Sequence, residues 1–293
     1  MSDLLAAVLE LNIAMAGGVM LVMLLRRGFR RTCGPRAAYA LWWIPVACML
    51  AVAAPRPTAA ISDGALSLVP RTGHETLLLT VWLLGALATL GLMVAAQARF
   101  ERKARAGQAG PALVGIVFPR VVMPADSSVR WTPEELALVR AHERAHLDRG
   151  DVRVSALVAL VRCLCWFNPL AHAGAARLAF DQELACDATV MARRPGRRAY
   201  ARAMLKSGEP RPPSPIACGW ASTALEERID ALRLGASGAG EGAMAALVVL
   251  WIAAASAAWL FQPPTARVEK APPARITFVN MKPASVALTF SAD

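Results

Sequence analysis

Residues 132–151 read TPEELALVRAHERAHLDRGD, and they hold two of the chain's four histidines. Thr132, Pro133 and Glu135 supply an N-cap, a proline at the first helical position and a capping-box glutamate, and Gly150 supplies a stop. The spacing therefore predicts one helix across the stretch. On it His142 and His146 stand four apart on one face, with Glu143 about 100° around the axis. This is the H-E-x-x-H pattern of zinc hydrolases: neutral imidazoles bind the ion, and a glutamate held off it takes the proton of the attacking water. The competing reading is a solvated helix face made of Glu143, Arg144, His146, Asp148 and Arg149.

A catalytic zinc needs a third protein ligand and one position left for water. Downstream, ELACD places Glu183 and Asp187 four apart on a second expected helix, about 170–193, after a turn at Asn168-Pro169. Glu183 is the candidate ligand, and Asp187 can accept the outer ring N–H of a ligand histidine and fix its tautomer. His172, just past the turn, competes as a ligand; His74 falls on the other side of the membrane in the topology below.

The chain is 56% hydrophobic with a mean hydropathy of +0.42, above the usual globular range. Four segments are long and apolar enough to cross a bilayer: 4–25, 37–54, 77–96 and 243–261. Glu10 is the one charged residue inside them, either facing the bundle or snorkelling to the edge. The first segment reads as a retained span rather than a cleaved signal. Lys and Arg exceed Asp and Glu by 32 to 21, but the basic residues cluster in RRGFRRTCGPR and RFERKAR, which the positive-inside rule assigns to the cytoplasm. The N-terminus and the C-terminal tail then lie outside. With the excess charge explained by topology, direct nucleic-acid binding is not expected.

The resulting division is 1–98 for three spans, 99–242 for a cytoplasmic domain, 243–261 for the fourth span and 262–293 for a short outer tail. The domain opens with two short strands, Val114–Val117 and Val121–Met123, as a hairpin. Asp151 is expected to cap a further helix, Val152–Phe167, too short to span; it either lies against the membrane or is buried in the domain. RRPGRR and GEPRPPSP read as loop or linker, a helix is expected near 224–234, and Gly235–Gly242 reads as a flexible lead into the last span. Six cysteines fit neither a zinc ribbon nor a disulfide scaffold, and Cys163-x-Cys165 reads as two small apolar residues rather than a metal pair.

HERAHLDRGD, the turn at Asn168–Leu170, ELACD at Glu183–Asp187 and LEERI at Leu225–Ile229, with VGIVFPRVVMP and WTPEEL upstream, resemble the BlaR/MecR-type antirepressor family of bacterial integral-membrane zinc metallopeptidases. The resemblance covers roughly residues 1–261. It implies a mainly α fold, four transmembrane helices with a mostly helical, gluzincin-like cytoplasmic domain carrying a small hairpin. It also implies one Zn2+ per chain on His142, His146 and Glu183, with Glu143 as general base, Asp187 supporting a ligand, and no other cofactor.

Family members with an outer antibiotic-binding domain sense β-lactams and inactivate a DNA-binding repressor. Here residues 262–293 contain no S-x-x-K, so direct β-lactam sensing is not expected; the tail reads either as disordered or as a strand followed by a short helix. The expected function is a multi-pass enzyme of the bacterial inner membrane that cleaves a cytoplasmic regulatory protein, such as a winged-helix repressor, or itself. Its partners are that protein and the lipid bilayer, with homo-oligomerisation left open. The alternative is a non-catalytic signal transducer or scaffold in which zinc staples two helices; a transporter fits less well because the spans carry few polar groups.

Overall fold

The computed structural model describes residues 2–54, 73–194, 196–207, 218–219, 225–234 and 241–260. In chain order these form α1 (Ser2–Cys33), α2 (Pro35–Ala40), α3 (Trp43–Ala53), α4 (Glu75–Arg105), β1 (Ala112–Val114), β2 (Arg120–Val122), α5 (Ser127–Arg130), α6 (Pro133–Arg149), α7 (Asp151–Leu164), α8 (Pro169–Arg193), α9 (Arg197–Lys206), β3 (Cys218–Gly219), α10 (Leu225–Leu234) and α11 (Glu241–Leu260). The architecture is mainly α. Four stretches among the described residues are long and apolar enough to cross a membrane: Leu4–Cys33, Pro35–Ala53, Glu75–Arg105 and Ala243–Leu260.

The second of these departs from the single helix expected over 37–54. It breaks at Leu41–Trp42 into α2 and α3, because Pro45 has no N–H to return to the Leu41 carbonyl and its ring crowds that oxygen. Tighter bonds close the turn instead, Trp42 N–H to Tyr39 O at 3.1 Å and Ile44 N–H to Leu41 O at 2.9 Å.

The strands also shift from their expected limits. Gly115, with φ of 94°, ends β1 early, since only glycine takes that conformation without strain. A short third strand adds to the hairpin, giving the antiparallel order β2-β1-β3. Helix α9 begins inside RRPGRR, at Arg197, and runs on through residues given no element in the sequence; its Ala199, Tyr200, Ala203 and Met204 recur at helical spacing and are buried. The linker at 208–215 and the tail at 262–293 lie outside the described residues, as does most of the lead into α11, whose first turn takes in residues 241 and 242.

Helix α6 forms as its caps dictate. Thr132 Oγ1 accepts from the Glu135 N–H, the Glu135 carboxylate accepts from the Thr132 N–H at 2.9 Å, and Gly150 closes the helix in the left-handed region at φ 69°. Helix α8 starts on the Asn168 side chain, which accepts from the Leu170 N–H at 3.0 Å.

Helices α7 and α8 rest directly on the spans. Helix α7 packs against α4, with the Trp82 indole donating to the Leu164 carbonyl and the Trp166 indole to the Trp82 carbonyl at 2.8 and 3.1 Å. Helix α8 then runs alongside α1 in the same direction, from Asn168 beside Asn12 at 3.5 Å to Asp181 beside Arg26 at 2.7 Å. Gly174 allows their close approach, because a Cβ there would press on Val19 at 3.0 Å.

Asp181 is the firmest tie between bundle and site helix. It is buried, and it accepts from the Arg26 guanidinium at 2.7 Å and the Trp42 indole at 2.8 Å. Removing one partner of a buried pair leaves the other charge uncompensated, at a cost of about 3–5 kcal/mol. Asp181→Ala should therefore lower the thermal unfolding midpoint in detergent markedly, and pairing Asp181→Leu with Arg26→Met should restore most of the loss. An Asp181→Ala variant as stable as the wild type would show that the tie is dispensable.

Candidate metal centre

Helices α6 and α8 pack face to face, so that the faces bearing His142 and His146 on one and Glu183 and Asp187 on the other meet. His142, Glu143, His146, Glu183 and Asp187 are all buried. The solvated-face reading of α6 fails on this point: three charged or titratable groups of the motif are fully withdrawn from water, while Arg144 and Asp148 on the other side are exposed.

Three electron-pair donors converge at the centre. The two histidine Nε2 atoms lie 3.0 Å apart, and the Glu183 carboxylate lies 3.2 Å from one and 3.5 Å from the other. Their tautomers follow from what holds the opposite ring nitrogens. His146 Nδ1 is 2.7 Å from Asp151 Oδ2, and an ionised carboxylate only accepts, so the proton sits on Nδ1 and the Nε2 lone pair points inward. His142 Nδ1 donates to the Tyr200 hydroxyl at 2.8 Å, which in turn donates to Asp187 at 2.8 Å; Asp187 Oδ1 itself stands 3.2 Å from His142 Nδ1.

Ring nitrogens and a carboxylate packed this closely need a shared positive charge between them, a proton or a metal ion. Ligands held 2.0–2.1 Å from one zinc at tetrahedral angles lie roughly 3.3 Å apart, close to the three separations seen here. The residues present fit the ion.

Cys186 is a second candidate ligand, since its sulfur lies within 4.8 Å of ligand atoms of both histidines. It stands 3.8 Å from Asp151 Oδ2, on the Nδ1 side of His146, and burial pushes its thiol up. Glu183 is nearer the point where the Nε2 atoms meet and is anionic. Burial raises its carboxyl, but the Arg228 guanidinium 2.9 Å away pulls it down, well below the usual carboxylate range.

Three contributors were not identified in the sequence. Asp151, expected as a helix cap, makes no cap bond; Gly150 takes that position and the Asp151 carboxylate turns to His146. Tyr200 sits on α9, a helix not expected from the sequence. Arg228, fully buried, holds Asp187 with two parallel bonds of 2.7 and 2.8 Å and reaches Glu183 at 2.9 Å. Two acids four apart on a buried helix require a counter-cation, which is the signal that could have singled out the arginine in LEERI.

His172 is held elsewhere, accepting from Arg162 Nε at 3.3 Å and contacting the Trp166 carbonyl at 2.9 Å. It is no ligand here. Cys163 and Cys165 are free and buried, and His74 precedes the first turn of α4.

Replacing Arg228 by Met strands two carboxylates in the interior. The substitution should cost about 3–5 kcal/mol, read as a lower midpoint in thermal or denaturant unfolding. Wild-type stability in that variant would mean that the carboxylates are balanced by something else.

A family model described as BlaR1 peptidase M56 matches residues 6–72 and 103–232, most of the chain. Among individual proteins, the Regulatory protein BlaR1 of Bacillus licheniformis is 28% identical over 81 residues, 28% of this chain. That alignment takes in 13% of the relative's own length.

Proposed function

We infer the function from kinship and site together: the chain belongs to the BlaR1 peptidase M56 family, and we propose that it is a membrane-embedded zinc endopeptidase that cleaves a cytoplasmic regulatory protein, itself, or both. The observation that carries this reading is the convergence of His142 Nε2, His146 Nε2 and the Glu183 carboxylate within 3.0–3.5 Å, with Glu143 buried at the next position on α6. In this reading those three residues hold one zinc, which supplies a Lewis acid for the scissile carbonyl and acidifies water.

Glu143 takes the proton of the attacking water and returns it to the leaving amine. Asp151 and the Tyr200–Asp187 pair keep both imidazoles in the tautomer that presents Nε2. Arg228 keeps Glu183 ionised and aimed inward. Among the described residues β2 is an outer strand of the sheet, and its free edge can take a substrate segment as an added strand, supplying main-chain bonds without demanding one sequence.

The basic ends of α1 and α4, which carry Arg26, Arg30, Arg102 and Arg105, support a cytoplasmic site, because Arg26 and Arg30 lie beside Asp181, two residues before the proposed ligand Glu183. The contacts of α7 and the Asn168-Pro169 turn with α1 and α4 support an intimate division: the metallopeptidase part of 99–242 is seated on the spans and dips between them. The name of the Bacillus licheniformis relative, a regulatory protein, supports a substrate in signalling, with a winged-helix repressor as the specific candidate.

Incubating zinc-loaded protein in detergent, alone and with a co-expressed repressor, and recording intact masses over time tests the reading. Glu143→Gln should fold and retain zinc while cleavage falls by roughly 10²–10⁴-fold, the usual contribution of a positioned acid–base group. Full cleavage by that variant would sink the mechanism. Zinc retained in both with no cleavage in either would move the non-catalytic transducer to the front.

A further inference from the structure

We propose that Tyr39, on the basic-end segment of the second span, is a positioning residue of the metal centre, setting the orientation of His146 through Asp151. The proposal rests on the reading of His142, His146 and Glu183 as metal ligands.

The hydroxyl of Tyr39 is committed on both sides. It accepts from Gln182 Nε2 at 3.2 Å, which fixes its lone-pair direction, and donates to Asp151 Oδ1 at 3.2 Å. The ring is clamped as well, with the Arg149 guanidinium 4.6 Å from its centroid. Asp151, fully buried, uses its other oxygen for His146 Nδ1 at 2.7 Å and Arg149 Nη2 at 2.6 Å. Without the tyrosine hydroxyl, Oδ1 keeps only the Arg149 Nε at 3.3 Å among these contacts. One side of the carboxylate then loosens, and with it the acceptor that fixes the His146 ring.

The ordinary reading of a tyrosine near the end of a span is an interfacial anchor with its hydroxyl among lipid headgroups. Here the hydroxyl points inward to a carboxylate instead. The segment that carries it is also tied to the site helix rather than left to follow α3. Arg36 Nε donates to Thr189 at 3.1 Å and the Trp42 indole donates to Asp181 at 2.8 Å, while the turn at Leu41–Trp42 separates α2 from α3. The second span thereby becomes part of the wall of the site, two hydrogen bonds from the outer ring nitrogen of a proposed ligand histidine.

The test uses the full chain in detergent, loaded with zinc for affinity by chelator competition and with cobalt for the visible absorption that reports ligand geometry. Tyr39→Phe keeps the ring and its packing and removes only the hydroxyl. It should weaken metal binding by about tenfold, the low end for residues that support a ligand, and alter the cobalt bands, with the unfolding midpoint unchanged. Gln182→Met, which removes the donor on the other side of the hydroxyl, should move both readouts in the same direction and carries the test if Tyr39→Phe does not fold. Wild-type affinity and cobalt spectrum in either folded variant would overturn the positioning role while leaving the ligand assignment standing. Failure of the wild type to bind either ion would remove the ligand assignment and this inference together.

Discussion

Everything around the candidate centre depends on balancing charge in a place that excludes water. Isolated ionised groups in an interior of low dielectric are too costly to persist, so they are found paired, hydrogen-bonded or ligating a metal. Here α6 and α8 bring two histidines and two carboxylates of their facing surfaces together, with Asp151 behind His146. Arg228 answers Glu183 and Asp187, and Arg149 answers Asp151. What remains is the inward-facing set of lone pairs on the two Nε2 atoms and Glu183, and the chemistry of that set is that of a cation site.

The supports of this centre come from widely separated parts of the chain. Tyr200 lies on α9, Arg228 on α10 and Tyr39 on α2. A site assembled this way cannot form until the membrane helices and the later helices have docked. The Asp181 contact with Arg26 and Trp42 fixes α8 against α1 and the second span, and so sets the height at which Glu183 meets α6. Coupling between bundle and site thus includes short polar contacts at the basic ends of the spans.

Much of this was legible in the sequence wherever local chemistry decides the outcome. Thr132, Pro133, Glu135 and Gly150 each carry their own instruction, and α6 follows them; Asn168-Pro169 does the same for α8. The four apolar stretches are equally plain, but hydropathy is blind to a missing N–H, so the break before Pro45 was not. Helix α9 was hidden by its arginines, although Ala199, Tyr200, Ala203 and Met204 repeat at helical spacing. Spacing brought out His142, His146, Glu183 and Asp187 because each pair shares one helix face. Asp151, Tyr200 and Arg228 were not found, because their roles come from tertiary placement: the same aspartate serves as a cap or as a histidine's partner depending on where its side chain can turn.

The most direct measurement is the metal content of detergent-purified protein by elemental analysis, comparing the wild type with His146→Ala and Glu183→Gln. The account predicts about one zinc per wild-type chain, as one closed set of ligands requires, and loss of that zinc in both variants while they remain folded. A well-folded wild type without zinc would contradict the account outright. Zinc held at wild-type affinity by Glu183→Gln would contradict the ligand assignment and turn attention to Cys186.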